Sequence, residues 1–308
     1  MPEPEVKFGV AGFPPNFFKS DFKNKRENIF QWLNFLGLNW IELQNTYGIK
    51  MPDEQAIKYR ELASRYKIGI SIHAPYYITL ASKDKEIVKR SQERIKKAFH
   101  LAELINSQRI IFHPGHFPGT SDNDRKAGLD KLIQNLNEIK DDLPTEKIKI
   151  YPEISGKVNQ LGSLMEIIEI CNKVNFARPC LDLAHLHARE GGILKAPEDI
   201  LNIFDTIEKH LGKKMLKQCH FHMYPVGIDH TGEKGHKAFS DKTKGNQLAF
   251  SKDDYYNDDR YYPQVEPFID AILKRGLNPV VICEAKDTQD EGAILMRDYF
   301  IEKKRRGK

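Results

Sequence analysis

Short apolar runs rich in valine and isoleucine recur along the chain, and a turn and then helical periodicity follow most of them. This alternation is typical of βαβ units with parallel strands. The runs are VKFGVAG (6–12), WIELQN (40–45), IGISIHA (68–74), RIIFHPG (109–115), KIKIYPEI (147–154), RPCLDLAH (178–185), LKQCHFHM (216–223) and PVVICEA (279–285). Eight such units in 308 residues favour a closed (β/α)8 TIM barrel over an open doubly wound sheet, because the barrel requires this repeat number and about this length.

Amphipathic segments between the runs supply the helices that such a barrel needs. The predicted helices are residues 25–37, 84–105, 128–139, 161–174, 196–211 and 265–276. A barrel of this length is commonly one domain, so we expect a single domain over residues 1–308. The connection after the seventh run, residues 224–263, is polar and rich in tyrosine, and a loop of that length is usually functional or disordered.

Composition narrows the class of protein only slightly. The formal charge of +5 suits a polyanionic partner but is common in proteins without one. The first residues lack the pattern of a secretory signal, and no run of about 18 apolar residues predicts a membrane span. We therefore expect a cytoplasmic protein that does not bind membranes. Cys171, Cys180, Cys219 and Cys283 form no CxxC pair, and we expect buried, reduced thiols.

Histidines and acids stand at the ends of six consecutive predicted strands, from the third to the eighth. They are His73, His113, His116, Glu153, Asp182, His185, His220, His222 and Glu284, and the loop after the seventh strand adds Asp229, His230, Glu233 and His236. Each alone is more often a structural histidine or a helix-capping acid. Because the carboxyl ends of barrel strands form the active site, their joint occurrence predicts one shared site.

Nitrogen and carboxylate ligands without cysteine suit zinc, manganese or iron, and the many histidines favour zinc. These side chains are too many for one closed tetrahedral site, so a cluster of two or three metals fits better, with a carboxylate such as Glu153 bridging. Two metals about 4 Å apart can activate water at neutral pH and stabilise the attacking and leaving oxygens of a displacement at phosphorus. The site therefore predicts hydrolysis of a phosphodiester.

Eight motifs, in order along nearly the whole chain, resemble endonuclease IV, the family-2 apurinic/apyrimidinic endonucleases, and in particular an archaeal-like branch. This family shares its TIM-barrel superfamily with xylose isomerase-like enzymes. The motifs are GVAGFP in the first strand, IELQNTYGIKM (41–51), SIHAPYYITLAS (71–82), FHPGHF (112–117), PEISGKVNQLGSL (152–164), CLDLAHLHA (180–188), HFHMYPVGIDHTGEKGHKAF (220–239) and CEAKD (283–287). The resemblance implies a barrel with three zinc ions that cleaves DNA 5′ to an abasic site.

The resemblance also implies a ligand set. His73 and His113 would bind one zinc, and Glu153, the predicted catalytic residue, would bridge it to a second. Asp182, Glu284 and either His220 or His222 would complete the second site, and His185 with His236 would hold the third. The family usually has an Asp-x-His pair at the third metal, which this chain lacks. Of Asp229, His230 and Glu233, the spacing favours Glu233 as the partner of His236.

The resemblance further implies that Tyr76 lies at the DNA interface, where it would hold the duplex open while the abasic nucleotide is extruded. A rim tyrosine that packs on a helix is the alternative. Lysines of the long loop are candidates for phosphate contacts, although a solvated charge run explains any one of them equally well. These lysines are Lys234, Lys237, Lys242 and Lys244, and the basic tail 303–308 could add DNA affinity or be a disordered tail.

The leading hypothesis is a monomeric DNA-repair endonuclease that acts on double-stranded DNA with abasic sites and uses two or three Zn²⁺ ions, with Mn²⁺ or Fe²⁺ as alternatives. The rival is a sugar isomerase or epimerase with one divalent metal, held by Glu153, Asp182, one strand-seven histidine and Glu284. A third hypothesis is a non-catalytic nucleic-acid-binding barrel. The additional histidines, which an isomerase does not require, favour the endonuclease.

Overall fold

Eight parallel strands form the central sheet in the part of the chain that the computed structural model describes, residues 6–239 and 262–306. These strands are β1 (Lys7–Ala11), β2 (Trp40–Gln44), β3 (Gly69–His73), β4 (Arg109–Phe112), β5 (Lys149–Pro152), β6 (Cys180–Asp182), β7 (His220–His222) and β10 (Val280–Cys283). Their spatial order is β5-β4-β3-β2-β1-β10-β7-β6, so neighbouring strands in the chain are mostly neighbours in the sheet.

The sheet nearly closes on itself between β5 and β6. Isolated parallel bridges join Ile150 to Ala177 and Glu153 to Cys180, and the amide of Ile154 donates to the carbonyl of Cys180 at 3.2 Å. We call this junction the β5–β6 seam. All eight strands fall within the runs predicted from the sequence, and the predicted TIM barrel is confirmed.

Helices follow the strands and surround the barrel. They are α1 (Ile29–Phe35), α2 (Asp53–Tyr66), α3 (Lys85–Ile105), α4 (Asp122–Glu138), α5 (Leu164–Lys173), α6 (Leu183–Arg189), α7 (Pro197–Leu211), α8 (Lys213–Leu216), α9 (Val265–Arg275) and α10 (Gln289–Arg306), with short 3₁₀ turns at Phe17–Lys19, Arg26–Asn28 and Lys140–Asp142. The sequence prediction omitted α2, α6, α8 and α10. The buried side of α2 consists of Ala56, Tyr59 and Ala63, a stripe with little aliphatic character.

Three other expectations need correction. The run 178–185 is strand only to Asp182, and His185 lies in the first turn of α6. The predicted loop 224–263 begins as an antiparallel hairpin of β8 (Val226–Asp229) and β9 (Gly232–His236), while most of its remainder lies outside the described residues. The predicted basic tail is helical in its described part, because α10 extends to Arg306.

The alternation of side chains along each strand separates two environments. Outward residues such as Ile41 and Phe221 join the main hydrophobic core between strands and helices. Inward residues form small apolar clusters deep in the barrel, one of which contains Val280, Ile282 and Trp40. Toward the carboxyl ends of the strands the inward residues become histidines and carboxylates, so the strand periodicity itself brings the candidate site together.

The four cysteines are buried and unpaired, as predicted. Within residues 6–239 and 262–306, no helix is long and apolar enough to cross a membrane.

Candidate metal centre

The first donor group consists of His73, His113 and Glu153, at the carboxyl ends of β3, β4 and β5. Nε2 of His73 lies 3.0 Å from Oε2 of Glu153, and Nε2 of His113 lies 3.5 Å from the same oxygen. One donor atom from each residue lies within 4.8 Å of the others, which is close enough to share one metal ion. The structure thus brings together the three residues expected at the first zinc.

The second donor group consists of Glu153, Asp182, His222 and Glu284. Nδ1 of His222 lies 3.0 Å from Oε1 of Glu153, 3.5 Å from Oδ2 of Asp182 and 3.8 Å from Oε2 of Glu284. Glu153 therefore turns one carboxylate oxygen to each of the two groups, which is the arrangement of a bridging ligand. Asp182 also caps α6, because its Oδ1 accepts a hydrogen bond from the amide of His185 at 2.6 Å.

The third donor group consists of His185, Glu233 and His236. Nε2 of His185 lies 3.3 Å from Oε2 of Glu233, and Nε2 of His236 lies 3.5 Å from Oε1. Both β9 residues reach this position because the amide of Glu233 donates to the carbonyl of Gly156 at 3.0 Å. A Cβ atom at Gly156 would lie 2.6 Å from that of Glu233, so the close approach requires glycine.

The other loop candidates lie elsewhere. Asp229 is exposed at the hairpin turn, where its carboxylate accepts from the amide and hydroxyl of Thr231. His230 is exposed beside it, and His116 is exposed at the rim with Nε2 3.1 Å from Nε2 of Gln160. The spacing argument that favoured Glu233 agrees with this geometry.

His220 is not part of the second donor group, because the contacts with its carboxylates are made by His222. Both side chains point into the barrel and are fully buried, with ring centroids 5.2 Å apart. Nε2 of His220 instead lies 3.0 Å from Oε2 of Glu42, one layer deeper in the barrel. The sequence left the choice between the two histidines open, and the structure brings His222 to the carboxylates.

Backbone carbonyls fix the orientation of three imidazoles. Nδ1 of His73 contacts the carbonyl of Ala74 at 3.0 Å. Nδ1 of His185 and Nδ1 of His236 make the same contact with other carbonyls, at 2.9 and 2.8 Å. A carbonyl oxygen only accepts hydrogen bonds, so Nδ1 of each ring carries a proton. The other ring nitrogen, Nε2, then faces a carboxylate. Two acceptors facing each other need a cation between them, either a proton or a metal ion.

The ionisation of these groups reflects the same arrangement. Burial lowers the pKa of His73, but the Glu153 carboxylate more than offsets this and raises it to about 9. Burial raises the pKa of Glu233, yet His185 and the other imidazoles bring it down to about 2. At His113 burial prevails and lowers the pKa to about 4, which leaves a neutral ring ready to act as a ligand. Near neutral pH the carboxylates of Glu153 and Glu233 are therefore anionic and His113 is neutral, whereas His73 holds a proton that a metal ion would displace.

Two buried residues that the sequence analysis did not single out contact the donor groups. Tyr224 donates from its hydroxyl to Oδ2 of Asp182 at 2.9 Å, and the hydroxyl lies 3.2 Å from Nε2 of His236. Glu42 contacts Nε2 of His222 at 3.2 Å. The alternation of the strands contained a signal for both, because Tyr224 stands two residues after His222 and Glu42 interrupts an apolar run. The sequence positions of Tyr224 and Glu42 do not, however, identify which donor residue each side chain contacts.

A cavity of about 440 Å³ opens over the three donor groups. Tyr76 and Lys234 line it, together with Lys157 from the loop after β5. Tyr76 is 45% exposed, packs edge-on to His113 with centroids 6.0 Å apart, and its hydroxyl accepts from Gln160 at 3.2 Å. Lys237 follows β9, whereas Lys242 and Lys244 lie outside the described residues.

Fold and site together define a TIM barrel whose strand ends converge on clustered His, Asp and Glu side chains that could hold metal ions. Residues 30–300 match the family model described as xylose isomerase-like TIM barrel, and the chain belongs to this family.

The chain is similar to proteins named as endonucleases and, in fold, to solved structures of an endonuclease and an epimerase. An uncharacterized protein from Methanocaldococcus jannaschii is 27% identical over 296 residues, covering 95% of this chain and 96% of that one. "Probable endonuclease 4" from Halothermothrix orenii is 26% identical over 209 residues, 63% of this chain and 72% of that one. Endonuclease IV from Thermus thermophilus superposes with a TM-score of 0.65 at 15% identity, covering 97% of this chain and 100% of that one. D-psicose 3-epimerase from Clostridium cellulolyticum gives 0.64 at 13%, covering 96% and 99%. Both solved structures are similar to this chain in fold.

Proposed function

We propose that this protein is a metal-dependent DNA-repair endonuclease that hydrolyses the phosphodiester 5′ to an abasic site. The observation that carries the proposal is the presence of three adjacent donor groups, two of which share the carboxylate of Glu153. A displacement at phosphorus develops negative charge on the attacking oxygen, the leaving oxygen and the phosphate oxygens. Several cations held close together would stabilise that charge. The similarity to proteins named as probable endonuclease 4 supports the same activity.

The donor atoms fit zinc, with manganese or iron as alternatives. Imidazole nitrogens and carboxylate oxygens make up the three groups, and zinc accepts both. When bound, such ions would polarise the phosphate and lower the pKa of a water molecule toward neutrality. The chain's own residues would hold the ions: Glu153 would contribute one oxygen to each of two donor groups, and the imidazoles whose Nδ1 contacts a backbone carbonyl would contribute Nε2.

The cavity above the donor groups is lined by side chains that can contact a nucleic acid. Lys157 and Lys234 are exposed and line the cavity, where each ammonium can contact a backbone phosphate. Tyr76 presents an aromatic face at the same rim, suited to stack on a base left without its partner. In this proposal the abasic deoxyribose enters the 440 Å³ cavity while the duplex stays outside.

The decisive experiment uses an end-labelled DNA duplex that contains one abasic site, incubated with metal-replete protein. We expect incision immediately 5′ to the lesion, a 3′-hydroxyl end, and loss of incision after chelation. The same duplex with an intact nucleotide is the control. Absence of incision by protein that holds two or three metal ions would contradict the proposal.

A sugar epimerase or isomerase is the second candidate, and a specific observation favours it. The second donor group alone supplies four ligands to one metal, and solved D-psicose 3-epimerases have the same fold. The two candidates differ in metal content. A stoichiometry near one ion per chain, with turnover of a ketose, would support the epimerase, whereas two or three ions support the endonuclease.

A further inference from the structure

A carboxylate lies buried inside the barrel beneath the second donor group. Glu42, on β2, has no exposed surface. Its Oε2 accepts a hydrogen bond from the Ser71 hydroxyl at 2.9 Å and lies 3.0 Å from Nε2 of His220, and its Oε1 lies 3.2 Å from Nε2 of His222. A charge buried this deeply is costly unless it is paired, so its presence calls for a specific role.

His222 faces the donor-group carboxylates with Nδ1, whereas the imidazoles held by backbone carbonyls face them with Nε2. Its Nδ1 faces Oε1 of Glu153 at 3.0 Å, and its Nε2 points the opposite way, toward Glu42. His73, by contrast, rests Nδ1 on a backbone carbonyl and presents Nε2. A carboxylate behind a metal-binding imidazole holds the proton on the distant nitrogen and makes the ring a stronger ligand than a carbonyl does.

The carboxylate is itself held in place by a chain of contacts. Ser71 donates to it and accepts from the indole nitrogen of Trp40 at 3.1 Å. Trp40 occupies space that only glycine leaves free, because a Cβ atom at Gly69 would lie 2.2 Å from its ring. These contacts involve Oε2 of Glu42, while Oε1 faces Nε2 of His222 at 3.2 Å and also accepts a hydrogen bond from Nε2 of Gln44 at 3.4 Å.

We propose that Glu42 is a positioning residue that selects Nδ1 of His222 as the ligand atom of the second donor group. Its two oxygens face different strand-seven histidines, Oε2 facing Nε2 of His220 and Oε1 facing Nε2 of His222. The inference rests on the metal centre of the proposed function. It does not depend on the substrate, because His222 belongs to the ligand sets of both candidate enzymes.

Metal titration of the intact chain tests this role. Chelator-treated wild type, Glu42→Gln and Glu42→Met are titrated with Zn²⁺ against a competing indicator. We expect Glu42→Met to weaken one class of site by roughly 10- to 100-fold and to leave the others unchanged. Glu42→Gln keeps an oxygen for the Nε2 proton but lacks the charge, so we expect a smaller loss.

A spectroscopic readout separates positioning from mere packing. In ¹⁵N spectra of the zinc-loaded wild type, His222 should show a proton on Nε2 and metal on Nδ1, a pattern that Glu42→Met should lose and Glu42→Gln should retain. The matched control is Glu166→Gln, since Glu166 is also a buried carboxylate but pairs with Arg125 on the outer layer. It should leave zinc affinity unchanged whatever its effect on thermal unfolding.

Two results would overturn the inference: full wild-type zinc affinity in both Glu42 variants, or an equal loss in Glu166→Gln. Failure of the proposed endonuclease is distinguishable, because it appears in the wild type as absent incision of abasic DNA. The effect of Glu42 on zinc affinity would remain measurable in that case. Glu42→Gln is nearly isosteric with the native residue, so the test stands even if Glu42→Met does not fold.

Discussion

At the residue scale, the candidate centre depends on the two oxygens of one side chain. Oε2 of Glu153 faces the imidazoles of the first donor group, and Oε1 faces His222 of the second. The carboxylate is fully buried, and although burial favours its neutral form, the surrounding imidazoles keep its pKa well below the usual range. An anionic carboxylate with one oxygen toward each group is therefore what joins the first donor group to the second.

Substitution of Tyr76 tests the predicted DNA interface, because Tyr76 packs against the His113 ring but supplies no ligand atom to the donor groups. We expect Tyr76→Ala to weaken binding to abasic duplex by about tenfold or more, because stacking on an aromatic ring contributes ~1–3 kcal/mol per base. Metal content should remain at the wild-type value. Fluorescence anisotropy with labelled duplex measures the binding, and Tyr77→Ala is the matched control because Tyr77 is 55% exposed beside it. Equal loss in both variants would argue against a specific role for Tyr76.

The protonation of His73 predicts how metal affinity depends on pH. In the metal-free protein its pKa is raised from 6.5 to about 9, so a proton occupies the ring at pH 7 and must leave when a metal binds. We expect the affinity of the first donor group to rise about tenfold per pH unit from 7 to 9, and to level off above. Competition with a chelator of known proton affinity measures this. A constant affinity above pH 7 would contradict it.

The same shift has a consequence for the stability of the metal-free chain. Because the folded pKa of His73 lies above its unfolded value, the proton stabilises the fold fully below about pH 6.5, and this contribution is lost as pH rises through 9. Glu233 acts in the opposite range: its pKa is lowered to about 2, so its contribution is present above about pH 4.5 and lost as pH falls through 2.

At the scale of elements, the β8–β9 hairpin supplies the third donor group and depends on Gly156 for its position. We expect Gly156→Ala to displace β9, because the new Cβ would lie 2.6 Å from Cβ of Glu233 and 2.9 Å from the His185 ring. The variant should lose one metal ion and keep the others. Metal analysis after gel filtration measures this.

The matched control is Gly227→Ala in the same hairpin, where a Cβ atom would meet its neighbours at 3.5 Å, an ordinary contact. It should retain the wild-type metal content. Retention of every metal ion by Gly156→Ala would show that β9 tolerates the shift, or that it does not hold a metal ion.

The strands were predictable from the sequence because each is a short, buried run with β-branched residues, and these runs fall on the observed strands. The helix α2 was not, since its buried side uses Ala56 and Ala63, which periodicity analysis barely distinguishes from polar surface. The strand ends also predicted most of the donor groups. The choice between His220 and His222 could not be predicted, because it depends on the register between neighbouring strands. That register pairs His222 with Asp182 and His220 with Cys180.

At the scale of the whole molecule, the second donor group spans the β5–β6 seam. Glu153 follows β5, Asp182 ends β6, and only isolated bridges join their backbones in the described residues. We expect metal removal to lower the unfolding temperature, because each site filled at about 1,000 times its dissociation constant adds about 4 kcal/mol. Amide exchange should rise at Ile154 more than in the continuous ladder of β2 and β3.

Hydrogen exchange with and without chelator measures this difference, and differential scanning calorimetry measures the loss of stability. Re-addition of Zn²⁺ should reverse both effects. Uniform protection across the barrel after chelation would indicate that hydrogen bonds and packing alone close the seam.

The hairpin that carries Glu233 and His236 lies outside the eight-stranded sheet and packs on α6 and on the loops after β5 and β10. The ligands of the first and second donor groups belong to the barrel's own strand ends. Two of the three residues of the third donor group, Glu233 and His236, therefore lie on an addition to the barrel, and replacing the eleven consecutive residues 226–236 would remove both while leaving His185 on α6. In evolutionary terms, exchange of a single loop could separate a phosphodiesterase from a sugar-converting relative while the barrel beneath it stays the same.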